Sequence, residues 1–151
     1  MNISNNYLPK TMSKKDKETQ RKNILRTRKS YKKGIYINRK TVKSFKSKPS
    51  PHIQNAMKMY NVTSVKPSRE LSRKTKCSLK GLKLIVNKGA GAYYASGSRP
   101  NQTPLSWGYA RLASSITGNK ASIVDNHILR DECKPGSLAL KLSNKAKNNQ
   151  V

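Results

Sequence analysis

A chain of 151 residues is long enough for one small domain, or for a domain carrying a tail. Its 33 Lys and Arg face only 6 Asp and Glu, a formal net charge of +27, so a compact monomer repels itself and a polyanionic partner is the natural resolution. No segment is apolar enough to span a bilayer and no basic amphipathic stretch is rich in Trp or Phe, so a membrane partner is not expected and nucleic acid comes first. Two cysteines, Cys77 and Cys133, are too few for a disulfide framework; with no secretory signal in view they are read as reduced thiols of a protein that is not secreted.

Residues 1–49 carry 16 Lys and Arg and two acids. They read as a basic arm, partly disordered or extended, that orders on a partner, because few apolar residues are present to bury. Ser13 and Asp16 form a weak capping box that opens a helix from about Lys14 to Tyr31. Gly34 to Phe45 alternates enough β-branched and aromatic residues for a short strand or an extended clamp. The candidate contacts in the arm are Arg26, Arg28, Lys29, Lys32, Lys33, Arg39 and Lys40, since counterion release drives clustered cations onto any accessible nucleic acid. Tyr31, Tyr36 and Phe45 either stack on bases or pack on the rest of the chain. The plainer alternative is a solvated Lys-rich tail with a nuclear-import-like run at Arg26–Lys33.

Ser50 and Pro51 begin a small helical domain expected over residues 50–147, with 148–151 as a frayed tail. Ile53, Ala56, Met57 and Tyr60 share one face of a first helix that ends near Asn61. Ser68 then caps a short helix with Glu70 in its first turn, and Leu71 and Thr75 lie on one face. Ser78 is a second N-cap, followed by Leu82, Ile85 and Val86 at helical spacing, with Gly89 as the stop.

The stretch Glu70 to Gly89 resembles the helix-turn-helix of bacterial and phage repressors, through Glu70, Leu71, Ser72, Thr75, Cys77, Ser78, Leu82 and Ile85. In that pattern the turn carries Gly because its backbone has positive φ; here Lys76 stands there. An ordinary helical hairpin with a basic face is the other reading. If the second helix enters a major groove, Leu79, Lys80, Lys83 and Asn87 face outward, and Arg73 and Ser78 lie beside them as further candidate contacts.

Gly89 to Thr103 reads as a tight connecting loop that packs Tyr93 and Tyr94; its glycines match neither the Walker nor the dinucleotide spacing. Arg99 is either a phosphate contact or a structural hydrogen-bond donor. Thr103-Pro104 opens another helix, with Leu105, Tyr109, Leu112 and Ile116 as a stripe, Trp107 central to the core, and Arg111 either a buried anchor or a surface cation. Lys120 to Leu129 is expected as one short helix with Ala121, Val124 and Ile128 inside. Leu138 to Lys147 is expected as the last. The fold class is mainly α: a small helical domain with a helix-turn-helix-like unit, preceded by a long basic N-terminal arm.

Catalytic chemistry finds little support. No pair among Asp16, Glu18, Glu70, Asp125, Asp131 and Glu132 is placed for acid–base or two-metal work. Asp125 and His127 point to different faces of a helix and are read as solvated. Cys77, Cys133, His127 and His52 have no zinc-finger spacing. No cofactor, metal or small-molecule substrate is expected.

Several longer motifs share a further likeness. SPHI at Ser50–Ile53, LSRKTKCS at Leu71–Ser78, GAYYASGSRPNQT at Gly91–Thr103, SWGYARLASSITGNKASIVDNHIL at Ser106–Leu129 and RKSYKKGIYINRKTVKSFKSK at Arg28–Lys48 resemble a domain of unknown function found in giant nucleocytoplasmic DNA viruses and, in related form, in tailed phages. That resemblance covers most of the chain and implies a viral protein, located in the virion or in the infected cell's cytoplasm or nucleus; it implies no activity. Family members carry Gly where Lys76 stands here. The expectation is a non-enzymatic protein that binds nucleic acid, DNA before RNA, in genome packaging, organisation or regulation. RNA stays open because the aromatics of the arm and Tyr93-Tyr94 suit single strands. The alternative is a minor virion structural protein whose basic arm binds acidic capsid surfaces.

Overall fold

The computed structural model describes residues 2–150, and within them the chain is helical. A 3-10 turn at Asn5–Tyr7 precedes α1 (Lys14–Lys32), α2 (Pro51–Tyr60), α3 (Arg69–Thr75), α4 (Leu79–Ala95), α5 (Pro104–Ile116), α6 (Lys120–Val124), α7 (Asn126–Glu132) and α8 (Leu138–Asn148). Most starts are set by short polar side chains. Ser13, Ser68, Ser78 and Ser137 each accept an N–H from the first turn of α1, α3, α4 and α8. At α5, Thr103 and Ser106 cap reciprocally: the Ser106 N–H donates to Thr103 Oγ1 at 3.0 Å and the Thr103 N–H donates to Ser106 Oγ at 2.8 Å. Ser50 occupies the N-cap of α2 but makes no capping bond, and Pro51 supplies the start instead.

The chain forms two compact units, each built from two separated segments. The first comprises the chain up to Lys48 together with Ala90–Trp107; the second comprises Pro49–Gly89 and the chain from Gly108 onward. This differs from the boundary drawn at Ser50. Residues 2–48 are the larger part of a packed unit in this structure, not a loose arm. Met12, Gln20, Ile24, Thr27 and Val42 are buried there, and Tyr93 is the largest of its fully buried side chains. Gln20 Nε2 donates to the Ser98 carbonyl, and Asn101 Nδ2 donates to the Val42 and Phe45 carbonyls. The segment 35–42 has no regular secondary structure and is not a strand: the Arg39 and Val42 N–H groups donate to side chains, of Tyr93 and Asn101, instead of to a neighbouring strand.

The second unit holds the apolar core: Ala56, Tyr60, Val62, Val65, Leu71, Leu82, Ile85, Val86, Leu112, Ala113, Ile116, Ile128, Leu129 and Ala139, with Ile53 and Met57 against it. Four details depart from the sequence. Trp107 is not central; it is half-buried in the first unit, edge-on to Tyr7 with ring centroids 6.0 Å apart. Leu105 is exposed. The helix expected over Lys120 to Leu129 breaks at Asp125, which rotates the following turn and leaves Val124 exposed. And α4 does not stop at Gly89 but runs on to Ala95 through good helix formers at Ala90 and Ala92.

Gly89 serves packing rather than termination. A Cβ there would lie 2.6 Å from Gly108 Cα, and one on Gly108 would lie 2.5 Å from the Val86 carbonyl oxygen. The α4 and α5 backbones therefore touch where neither has a side chain. Gly108→Ala is expected to lower unfolding stability by roughly 2 kcal/mol, the overpacking cost outweighing about 1 kcal/mol of helix propensity. Urea melts of the two proteins check this; an unchanged or higher midpoint would contradict the close approach.

Candidate nucleic-acid interface

In the second unit, α3 and α4 are joined by Lys76, Cys77 and Ser78. Lys76 adopts the left-handed backbone, φ 59° and ψ 28°, at the position where the repressor pattern carries Gly. Thr75, fully buried, donates from Oγ1 to the Leu71 carbonyl and accepts the Cys77 N–H, which closes the turn. Lys80, Lys83 and Asn87 are exposed and fall at i, i+3 and i+7, so one face of α4 presents all three. Arg73 is exposed at the end of α3.

Ser78 is differently placed from that expectation. Its hydroxyl accepts the Gly81 N–H at 3.0 Å and donates to Glu132 Oε1 at 3.0 Å, leaving it occupied within the protein. Glu132 therefore sits at the N-terminus of α4, where an incoming phosphate would otherwise find free N–H groups. The sequence places no acid on α4, and this carboxylate arrives from α7.

The turn is also clamped. Cys77 and Cys133 form a disulfide across 56 residues, which corrects the reading of both as reduced thiols and takes both sulfurs out of any zinc set. Two backbone bonds flank it: the Ser78 N–H donates to the Glu132 carbonyl at 2.7 Å and the Lys134 N–H to the Lys76 carbonyl at 2.9 Å. Sequence spacing carried no signal of this meeting, because neither cysteine lies in a recognisable pairing pattern.

Behind α4, Asp125 is fully buried, not solvated as expected. Arg111 donates to it twice, Nη2 to Oδ1 at 2.7 Å and Nε to Oδ2 at 3.0 Å; Ser115 donates at 2.8 Å, and Lys88 Nζ stands 3.2 Å from Oδ1. Of the two roles open to it, Arg111 is thus the hydrogen-bonding anchor, partly buried rather than a free surface cation. Burial alone pushes the Asp125 carboxyl up, but the hydrogen bonds from Arg111 and Ser115, the Arg111 charge and the Lys88 bond more than offset it, and its pKa lies below the ordinary carboxylate value.

In the first unit, α1 carries Lys22, Arg26, Lys29 and Lys33 exposed at i, i+4, i+7 and i+11, the last at its C-cap, so they form one cationic stripe. Lys22 was absent from the candidates, although the helical period alone would have added it. Lys32 and Lys40 are exposed beside them in sequence, and Arg99 is exposed in the loop after α4. Arg28 is half-buried, and its Nε donates to the Ser96 carbonyl at 2.7 Å.

Arg39 is turned into the fold, unlike the exposed candidate cations of α1. Its guanidinium lies 3.7 Å from the centroid of the Tyr93 ring, donates to the Tyr93 carbonyl at 2.9 Å and to Ser98 Oγ at 2.8 Å, and is buried. Burial pulls its pKa below the ordinary arginine value. An arginine stacked and bonded in this way is consumed by the fold. Tyr31, Tyr36 and Tyr94 gather beside it, with ring centroids 5.2 to 5.8 Å apart. Among the described residues, carboxylates form ion pairs with Arg21, Lys88 and Arg111, so the stripe and Lys80 and Lys83 of α4 are not neutralised internally.

Among the described residues no helix is long and apolar enough to cross a membrane. Comparison with curated proteins and with solved structures finds no match. A family model does match, over residues 6–131, and so takes in α1 with its cationic stripe, the tyrosine cluster, the turn at Lys76–Ser78 without its partners Glu132, Cys133 and Lys134, and the Asp125 network. The chain therefore belongs to a family of unknown function (DUF5824).

Proposed function

We propose that this protein is a non-enzymatic nucleic-acid-binding protein, acting on DNA before RNA in genome packaging, organisation or regulation. The observation that carries the reading is the α1 stripe of Lys22, Arg26, Lys29 and Lys33. Like charges at i and i+4 destabilise a free helix, and beyond Glu18 the helix holds no acid to relieve them. A polyanion removes that repulsion and gains counterion entropy. Lys80, Lys83 and Asn87 on α4 give a second basic face, on a helix preceded by the left-handed Lys76 turn of the repressor pattern. Glu132 at the start of α4 argues for backbone contact over reading of base edges there. The likeness of its motifs to those of giant-virus and phage proteins supports a viral role, in the virion or the infected cell.

The test is duplex binding by the full chain across a salt series, beside Arg26→Ala/Lys29→Ala and Lys80→Ala/Lys83→Ala variants. Each pair is expected to weaken duplex binding several-fold and to flatten the log-affinity against log-salt slope by about 2. Unchanged slopes in both variants would defeat the reading.

One observation favours a second reading, a minor virion structural protein. In the second unit an open groove of about 430 Å³ is lined by Met59, Tyr60 and Leu138 with Lys74, Lys76 and Lys141, an apolar and cationic mixture that suits an acidic protein surface. Loss of acidic-protein binding but not of DNA binding on Leu138→Asp would favour it.

A further inference from the structure

The tyrosine cluster of the first unit leaves one member, Tyr36, largely in solvent. Tyr93 is the core tyrosine: it is 1% exposed and its phenol oxygen accepts the Arg39 N–H at 2.7 Å. The three rings outside it differ. Tyr31 and Tyr94 are near-parallel, 7° apart with centroids 5.8 Å apart, and Tyr94 is edge-on to Tyr93. Tyr36 is tilted against both, at 5.7 and 5.2 Å, yet 67% of it is exposed, and its neighbour Ile35 is 55% exposed. A tyrosine that serves packing buries its apolar ring and keeps its polar tip in water, whereas Tyr36 at this exposure is largely accessible. Four of the chain's nine aromatic side chains meet at this one place.

The surroundings select the occupant. This unit has 17 Lys and Arg against two acids, and Lys32 and Lys40, both exposed, flank Tyr31 and Tyr36 in the chain, while Lys29 and Lys33 point from the opposite face of α1. The two acids, Asp16 and Glu18, lie at the start of α1, and Glu18 is roughly 20 Å from Tyr31 along the helix axis. A second copy of this chain would bring its own cations to the same place. An acidic peptide would satisfy the lysines but not the flat rings. A chain of bases joined by phosphates offers both a π-face and an anion at every step, provided the bases are unpaired.

We propose that Tyr36, backed by Tyr31 and Tyr94, is a stacking platform for the bases of a single-stranded nucleic acid, with Lys32 and Lys40 holding its phosphates. This rests on the nucleic-acid reading above and adds a preference for unpaired bases at a defined place.

The experiment is a fluorescence-anisotropy titration of the full chain with three labelled probes of about twenty nucleotides: oligothymidylate, oligouridylate and a duplex. Tyr36→Ala is expected to weaken both single strands about tenfold and the duplex less than about twofold, with an unchanged salt slope. Tyr36→Trp is expected to restore single-strand binding. Unequal loss on the two single strands would show which sugar the site prefers, within the same stacking role. Unchanged single-strand binding in Tyr36→Ala, or equal loss on all three probes, overturns the platform. A wild-type chain that binds duplex but neither single strand defeats this inference alone; one that binds no probe defeats the nucleic-acid reading as well. Thermal melts of each variant separate lost stacking from lost folding, since a misfolded chain loses all three probes together.

Discussion

Asp125→Ala is expected to destabilise the second unit by about 3 kcal/mol, read as a melting temperature roughly 10 °C lower at neutral pH. The substitution leaves Arg111, 21% exposed in its side chain, without its bidentate partner, and Ser115 and Lys88 without their acceptor. Removing one member of a buried pair costs more than the pair contributes, because the remaining charge stays desolvated. The figure sits at the lower edge of the range for such pairs since Lys88, at 39% exposure, can turn to water. The pH dependence has a definite sign. The folded carboxyl titrates below its unfolded value, so its stabilisation is complete above about pH 4 and is lost as pH falls through the folded pKa. Melts of wild type and variant from neutral to strongly acidic pH should converge. A constant gap down to the lowest pH would mean that Asp125 acts through shape alone.

Reduction of the Cys77–Cys133 disulfide is expected to have an effect of similar size. Closing a loop of 56 residues restricts the unfolded chain by about 4 kcal/mol on the chain-entropy account. Both residues are buried, at 3% and 6% exposure, so reductant should act slowly on the folded protein and quickly in urea. Urea midpoints of the oxidised chain, the reduced chain and Cys77→Ser/Cys133→Ser should place the last two together, below the first. Coincident midpoints for all three would mean that the bond contributes nothing in solution. The link also sets how α4 is held, since it fixes the turn before Lys80 and Lys83 to the end of α7.

Which features the sequence revealed follows from the range of the interaction. Ser13, Ser68, Ser78 and Ser137 cap within three residues of themselves, so their helices could be read directly. The faces carrying Leu71, Thr75, Leu82, Ile85 and Val86 were equally legible from spacing, and the exposure of Lys80, Lys83 and Asn87 followed from the same period. Arg39 could not be read, because nothing near it indicates that Tyr93, 54 residues on, will take up its guanidinium. Asp125 resembled a surface residue until Arg111 and Lys88 converged on it, and Glu132 reached α4 from α7. Glycine misled in one place. Gly89 has the look of a helix stop, and only the approach of Gly108 shows that a missing side chain can serve packing inside a helix.

The division of the first unit between the chain's beginning and Ala90–Trp107 has a consequence for biosynthesis. Gln20 and Ile24 of α1 are covered by Ser98 and Gly97, and Gln20 is 78 residues from its partner Ser98. At ordinary translation rates of about 5–20 residues per second, α1 emerges roughly 4–16 s before the residues that bury its inner face exist. During that interval its cations belong to an unfinished chain beside the ribosome's own polyanion. The loop after α4 is thus the step that withdraws the inner face of α1 from solvent and leaves the cationic stripe as the helix's exposed side.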